Sequence, residues 1–246
     1  MRKYLAYYET EWPANIAELT AVENKPFVGY LKGEGVKFTI IPAPVEGPAN
    51  NEIWYTTVDG NIFDIANAIQ DTESLLSLSY TGPNIISNEF DSNKKVYIVT
   101  FDKEITHFGI TPISNYNYMF NGPILFDVQN FGTGTPFISS IYLPQSILEI
   151  NYCGYFYTTA TEITIPNNVI SIGGSAIMQN EELTKLIIPN TVTNIGTNAI
   201  ATNPKLNYIE FCGTVNEWEN INKETPWIVT CPLATYVQCT DGQVAL

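Results

Sequence analysis

TEITIPNNVISIG, residues 161–173, returns 23 residues later as TKLIIPNTVTNIG, residues 184–196. An earlier copy, SSIYLPQSILEIN, covers residues 139–151. Pro144, Pro166 and Pro189 therefore lie 22 and 23 residues apart. A repeat of this length in a single chain predicts an array of stacked structural units.

Apolar residues recur at fixed places around each proline. In the third copy, Leu186 and Ile188 precede the proline and Val192 and Ile195 follow it. Alternation before the proline is typical of a strand, and a proline ends the strand because it lacks an N–H donor. The three-residue spacing after it favours a turn or helical segment closing over a core. The pattern predicts a mainly β leucine-rich-repeat solenoid with coils of about 22–23 residues.

The repeat weakens at both ends. On the C-terminal side, a fourth line contains Ile209, Phe211 and Trp218, with Cys212 in place of the proline. On the N-terminal side, Val99 and Phe101 match the strand positions, and Ile105, Phe108 and Gly109 match the positions that follow the proline. APVEGPANN, residues 43–51, resembles a linker. We predict four parts: residues 1–50, a small β-rich region for attachment or oligomerisation; residues 51–94, a strand-rich cap; residues 95–221, the solenoid; and residues 222–246, a C-terminal cap.

One interval in the array is too long. Asp102 stands where a proline is expected, and Pro144 follows 42 residues later. Residues 114–137 therefore form either a degenerate coil or a loop inserted on one face. We favour the degenerate coil.

Composition limits the class of partner. The chain carries 25 Asp and Glu against 11 Lys and Arg, a net charge of −14. This charge argues against nucleic acid and anionic membranes as partners. The first 15 residues lack the apolar segment of a signal peptide, so secretion by that route is not expected. Four cysteines without a C-x-x-C pair suggest buried free thiols, with a Cys231–Cys239 bridge as the alternative.

Residue patterns for catalysis are missing. His107 is the one histidine and lies inside a repeat line, where a structural role is the expectation. The sequence has no G-x-S-x-G, H-E-x-x-H or phosphate-binding loop. We therefore predict a protein that is not an enzyme and has no cofactor and no metal.

A binding surface is predicted on the strands instead. Residues between inward positions face outward, and stacking aligns them from coil to coil. The candidate binding face consists of one column with Tyr142, Thr164, Ile187 and Glu210, and a second with Glu162, Lys185 and Tyr208, preceded by Ser140. An ordinary exposed sheet without a partner is the alternative.

Aromatic residues cluster near the N-terminus. They are Tyr4, Tyr7, Tyr8 and Trp12. Exposed aromatic side chains need a cover. We predict that they form an attachment arm, with packing on their own domain as the alternative.

The strings IPNNVISIGGSAI and IPNTVTNIGTNAI resemble the BspA-like class of bacterial leucine-rich repeats. FCGTVNEWENI is similar to the line that closes such arrays, and YVQCTDG to their terminal strand. EIWYTTVDG resembles a segment found ahead of these repeats in gut bacteria and their phages. The resemblance spans residues 52–246, with Ile177 and Ile200 in place of the usual Phe.

This resemblance, the N-terminal arm and the absent export signal lead to one functional prediction. We expect a bacteriophage virion protein: a head fibre, capsid decoration or tail-associated adhesin. Its N-terminal region would bind other virion proteins, and its solenoid a host surface glycan or protein, in a homo-oligomer on the virion surface. The alternative is an adhesin on the bacterial cell surface.

Overall fold

The computed structural model describes residues 3–5, 21–23, 47–66, 69–70, 79–114, 117–119, 122–123 and 138–246. The chain divides into two compact units, Met1–Gly47 and Pro48–Leu246. The division falls within the predicted linker. In the first unit, β1 (Lys3–Leu5) pairs antiparallel with β2 (Ala21–Glu23). The patterns FVGYL, residues 27–31, and VKFTII, residues 36–41, predict two further strands and lie outside the described residues.

The second unit consists mostly of short strands, with helical residues at 65–66 and 69–70 and a helix of five residues, α1 (Val215–Glu219). Before the regular repeats come β3 (Glu52–Thr57), β4 (Ile85–Asp91), β5 (Val96–Phe101), β6 (His107–Phe108), β7 (Thr111–Ser114), β8 (Asn117–Met119) and β9 (Ile138–Tyr142). The coils contain β10 (Glu149–Ile150), β11 (Tyr155–Phe156), β12 (Glu162–Thr164), β13 (Ser171–Ile172), β14 (Ile177–Met178), β15 (Lys185–Ile188), β16 (Asn194–Ile195), β17 (Ile200–Ala201) and β18 (Tyr208–Phe211). The chain ends with β19 (Asn222–Lys223), β20 (Ile228–Val229), β21 (Tyr236–Gln238) and β22 (Gln243–Ala245).

Each regular coil contributes one strand to each of three sheets. The first sheet has the order β12-β15-β18-β21-β22, the second β19-β16-β13-β10-β6 and the third β11-β14-β17-β20. Neighbouring coils pair in parallel with an offset of one repeat, so that Ile163 lies opposite Leu186 and Ile172 opposite Ile195. The predicted solenoid is confirmed.

The prolines set the corner between the first and second sheets. The N–H of Val169 donates to the carbonyl of Pro166 at 3.1 Å, and that of Val192 to Pro189 at 3.2 Å. The chain then enters a two-residue strand of the second sheet. Of the two alternatives that the sequence offers after the proline, a turn or a helical segment, the turn is correct.

The core lies between the three sheets. Its inward residues occupy equivalent places in successive coils and are at most 2 % exposed. They include Ile163, Leu186, Ile209 and Val237 from the first sheet, and Phe108, Ile150, Ile172 and Ile195 from the second. Each coil therefore buries its apolar side chains against its neighbours.

Two corners of each coil use left-handed backbone. One corner carries Cys153, Ser175 and Asn198, and the other carries Tyr157, Gln179, Thr202 and Thr230. These residues have φ between 52° and 59°, a region that side chains other than Gly and Asn adopt at a cost. Sequence periodicity gave no indication of these positions, because none is a glycine.

The N-terminal end of the solenoid departs from the prediction. β5 matches the strand of a coil, yet it pairs antiparallel with β3 and β4 in a sheet of order β4-β5-β3-β9. β3 lies between β5 and β9, the two strands that a regular array would place side by side. The pairing of β3, residues 52–57, is thus long-range in the chain.

The long interval is an insertion, so the favoured degenerate coil is wrong. β6 pairs directly with β10: His107 lies opposite Glu149, and Phe108 opposite Ile150. This pairing leaves no place in the second sheet for a coil between them. The segment after β6 forms the β7–β8 hairpin, and residues 124–137 lie outside the described part.

The four cysteines, all in the described part, are free. The alternative of a Cys231–Cys239 bridge is therefore wrong. Cys153, Cys231 and Cys239 are buried, and Cys212 is exposed. Three of the four thiols pack as small apolar groups in the core.

Candidate recognition surface

Two outward columns cross the first sheet. Glu162, Lys185 and Tyr208 lie opposite one another on β12, β15 and β18. The second column consists of Thr164, Ile187 and Glu210 in the same pairing. We call these six residues the recognition surface.

Strand alternation explains why these side chains face outward. Ile163 separates Glu162 from Thr164 and is 2 % exposed, and Leu186, between Lys185 and Ile187, is 0 % exposed. Successive side chains on a strand point to opposite faces. Burial of the apolar residues therefore places their neighbours on the outside.

A mixed-charge network lies at the centre of the recognition surface. The Lys185 ammonium is 3.7 Å from a Glu162 carboxylate oxygen and 3.8 Å from one of Glu210. It also lies 5.9 Å from the centroid of the Tyr208 ring. Contacts this exposed contribute about 0–1 kcal/mol each to stability. Breaking these contacts costs little free energy, so that charged groups of a binding partner can replace them.

β21 continues the recognition surface, which sequence reasoning missed. Glu210 lies opposite Gln238, and Val237, opposite Ile209, is buried between Tyr236 and Gln238. Tyr236 thus extends the column of Tyr208. The alternation Tyr-Val-Gln could have indicated this, but the strand was assigned to the cap.

Tyr142 does not belong to this surface, contrary to the prediction. β9 pairs antiparallel with β3, which places Tyr142 opposite Trp54 and Ser140 opposite Thr56. Tyr142 is 49 % exposed, but in the sheet of β4, β5 and β3. Insertion of β3 at this end explains the change. The arm residues Tyr4, Tyr7, Tyr8 and Trp12 lie outside the residues whose side chains are described.

The second sheet has an outward column of its own. It consists of His107, Glu149, Ser171, Asn194 and Asn222, paired in that order. Each of these five residues is the first of a two-residue strand, and all five are polar. The polar residue before Ile150, Ile172 and Ile195 is a signal that sequence analysis did not use.

The groups with nucleophilic or metal-binding capacity do not form a catalytic arrangement among the described residues. His107 Nδ1 lies 2.8 Å from the Thr106 hydroxyl, and Nε2 lies 3.7 Å from a Glu149 carboxylate oxygen. Partial desolvation, with Glu210 nearby, raises the pKa of Cys212, so its thiol is a poor nucleophile at neutral pH.

The described part holds no group of three His, Cys, Asp or Glu side chains placed to bind a metal ion. A helix of sufficient length and apolar character to cross a membrane is also missing from the described residues.

Comparisons with known proteins agree with this architecture. Neither the curated proteins nor the solved structures contain a significant match to the chain. A family model, the BspA type leucine rich repeat region, matches residues 129–223 in six copies. The matched segment covers the coils from β9 to β19 and is shorter than the resemblance predicted from the sequence, residues 52–246. Residues 129–223 of this chain are thus similar to the BspA type leucine rich repeat region.

Proposed function

We propose that the protein is a non-enzymatic, adhesin-like protein that binds a protein partner through the recognition surface. The observation that carries this proposal is the in-register array of charged, aromatic and aliphatic side chains across β12, β15 and β18. Tyr208 and the half-buried Ile187 supply contact area, and Lys185 with its two carboxylates supplies a charge pattern for specificity. BspA-type repeats suggest a protein-binding role as well.

The size of the recognition surface predicts weak binding at a single site. Four strands spaced by about 4.8 Å span roughly 14 Å, and each strand contributes about 10 Å. The resulting area, roughly 140 Å², is far below the approximately 800 Å² per partner of a stable interface. Binding therefore requires neighbouring turns or several copies of the chain, which agrees with the expected homo-oligomer.

The proposed setting is a bacteriophage virion. The separate compact unit Met1–Gly47 is suited to attachment or oligomerisation, while the solenoid unit presents the recognition surface. In this proposal the partner is a host surface protein, and other virion proteins bind the N-terminal unit. A bacterial cell-surface adhesin would use the same recognition surface.

Labelled protein and intact gut bacterial cells test the binding function. Fluorescence on the cells is measured for the wild type, for Ile187→Asp combined with Tyr208→Ala, and for the control Leu233→Asp. Leu233 is an apolar residue, 53 % exposed, that lies outside the recognition surface. We expect saturable binding that protease treatment of the cells removes, that the double variant loses and that the control keeps.

Equal binding by the double variant would refute the role of the recognition surface. Binding to protease-treated cells would refute a protein partner. Purified phage capsids in place of cells test the virion setting, with the chain beginning at Pro48 expected to lose capsid binding. Sustained hydrolysis of cell-surface polysaccharide by the purified protein would overturn the non-enzymatic proposal.

A further inference from the structure

A groove of about 320 Å³ runs over the second sheet, away from the recognition surface. Its volume lies at the lower end of the range for small-molecule sites, about 300–1,000 Å³. Its walls and floor include Glu149, Ser171, Asn194, Asn222, Gly174 and Gly196. The groove crosses β10, β13, β16 and β19, a span of roughly 14 Å at about 4.8 Å per strand. This shape fits an elongated ligand.

Because Gly174 and Gly196 have no side chains, the floor of the groove consists of backbone atoms at these positions. A Cβ atom on Gly196 would lie 2.7 Å from the backbone nitrogen of Gly174, and one on Gly174 would lie 3.0 Å from the carbonyl oxygen of Thr197. Close stacking of coils therefore requires these glycines. As a consequence, backbone atoms rather than side chains form the floor beside Ser171 and Asn194.

The lining of the groove has hydrogen-bonding capacity to spare. The Ser171 hydroxyl has no hydrogen bond to a described residue. Asn194 Nδ2 donates to Thr193 Oγ1 at 2.9 Å, and Asn194 Oδ1 accepts from Asn222 Nδ2 at 3.3 Å. A primary amide has two donor hydrogens and two acceptor lone pairs, so each amide retains unused capacity. These groups both donate and accept, as sugar hydroxyls do.

Charge selects against anionic ligands. Among the described residues no Lys or Arg lines the groove, whereas Glu149 and Glu224 do, so an anion is repelled. One oxygen of each carboxylate already accepts hydrogen bonds. Glu224 accepts from the Thr197 N–H at 2.9 Å and from its hydroxyl at 2.7 Å, and Glu149 accepts from Asn151 Nδ2 at 3.3 Å. A neutral ligand binds beside these carboxylates without displacing those contacts.

We propose that this groove binds a neutral oligosaccharide. The ligand lies across the strands, and its hydroxyls exchange hydrogen bonds with Ser171, Asn194 and Asn222. None of the described residues that line the groove is aromatic, so stacking is missing and the expected dissociation constant is on the order of 1 mM. The site lies on a different sheet from the recognition surface and does not depend on the function proposed for that surface.

The experiment is saturation-transfer NMR on the full chain with five probes. Maltotriose, cellotriose and chitotriose are the neutral sugars, trigalacturonate is the anion, and trilysine is the cation. Ser171→Trp fills the groove, and Leu233→Trp places the same bulk at an exposed position outside both the groove and the recognition surface as a control. We expect saturable transfer to at least one neutral sugar, a tenfold or greater loss of affinity for that sugar in Ser171→Trp, and no change of affinity in Leu233→Trp.

A second variant keeps the test decisive if Ser171→Trp does not fold. Asn222→Ala adds no bulk at an exposed position, and we expect it to weaken sugar binding at least threefold. The proposal is overturned if no neutral sugar binds, if trilysine or trigalacturonate alone binds, or if Asn222→Ala and a folded Ser171→Trp bind as well as the wild type. Loss of cell binding by recognition-surface variants would leave these results unchanged.

Discussion

Asn180 accepts two hydrogen bonds from Thr158, which lies one coil earlier: from the backbone N–H at 3.0 Å and from the hydroxyl at 2.8 Å. Asn203 repeats the arrangement one coil later, since its side-chain oxygen accepts from the Asn180 N–H at 3.0 Å. The amide nitrogen of Asn180 donates to the Tyr155 carbonyl at 3.0 Å. Asn180 and Asn203 are both 0 % exposed. These buried amides therefore join consecutive coils.

Asn180→Ala should lower the free energy of unfolding by about 2–4 kcal/mol. The change leaves the buried Thr158 N–H and Thr158 hydroxyl without the acceptor that Asn180 provides, each at a cost of about 1–3 kcal/mol. Urea denaturation measures the effect. The control is Asn190→Ala, an exposed asparagine on the turn after Pro189, where we expect a change within about 0.5 kcal/mol. A loss of the same size in both variants would contradict a special role for the buried amide.

Thr202→Gly should stabilise the protein by up to about 1 kcal/mol. Thr202 has φ 54°, and a β-branched residue in this region is strained, whereas glycine is not. Its hydroxyl has no hydrogen bond to a described residue, so little is lost. Thermal unfolding measures the change. Thr161→Gly is the control: Thr161 is exposed and has no positive φ, and we expect a loss of about 0.5–1 kcal/mol there. Destabilisation by Thr202→Gly would show that the corner is not strained.

Asp102→Asn should reduce the loss of stability in acid. The Asn84 side chain donates to the Asp102 carboxylate at 2.7 Å and the Asn84 N–H at 2.8 Å, and these bonds lower the pKa of Asp102. A carboxylate with a lowered folded-state pKa stabilises the fold above its unfolded pKa, about 3.9, and this contribution is lost as pH falls through the folded value.

The measurement for Asp102 is the melting temperature between neutral pH and about pH 2. We expect Asp102→Asn to lie below the wild type at neutral pH and to approach it in acid. Glu181→Gln, an exposed carboxylate without a hydrogen bond to a described residue, should follow the wild-type curve. If the melting temperatures of Asp102→Asn and the wild type differed by the same amount at every pH, ionisation of Asp102 would not contribute to stability.

A chain that begins at Pro48 should be more stable than one that begins at Glu52, by roughly 2 kcal/mol. The Asn51 carbonyl accepts from the Phe101 N–H at 2.9 Å, and the Asn50 carbonyl accepts from the Ile105 N–H at 2.8 Å. Residues 48–51 thus hold β5 and the chain after it. Chemical denaturation of both forms measures the difference, and light scattering of the full chain and the Pro48 form tests oligomerisation through residues 1–47. Equal stability of the two shortened forms would contradict the stabilising role of residues 48–51.

Lys185→Glu should destabilise the fold modestly at low salt, by about 1 kcal/mol, and less at high salt. The new carboxylate would face Glu162 and Glu210, which now lie 3.7 and 3.8 Å from the ammonium, and salt screens repulsion between exposed charges. Denaturation at two salt concentrations measures this. Lys185→Met removes the charge without adding repulsion and should change stability by less than about 1 kcal/mol. A salt-independent effect would show that packing, not charge, dominates at Lys185.

The solenoid follows from the amino-acid sequence alone, because the buried positions recur at a fixed interval along the chain. The period of Pro144, Pro166 and Pro189, and the apolar places around them, identify the inward residues Ile163, Leu186 and Ile195 without any coordinates. The outward columns of β12, β15 and β18 follow directly from alternation along a strand.

The arrangement at the N-terminal end and at the corners depends instead on contacts between distant segments. Antiparallel insertion of β3 between β5 and β9 moves Tyr142 away from the recognition surface, and direct pairing of β6 with β10 excludes an extra coil. Pairing between segments distant in the chain leaves no local period in the sequence. Likewise, the left-handed backbone at Ser175 and Thr202 is imposed by the stacked coils on residues that do not favour it.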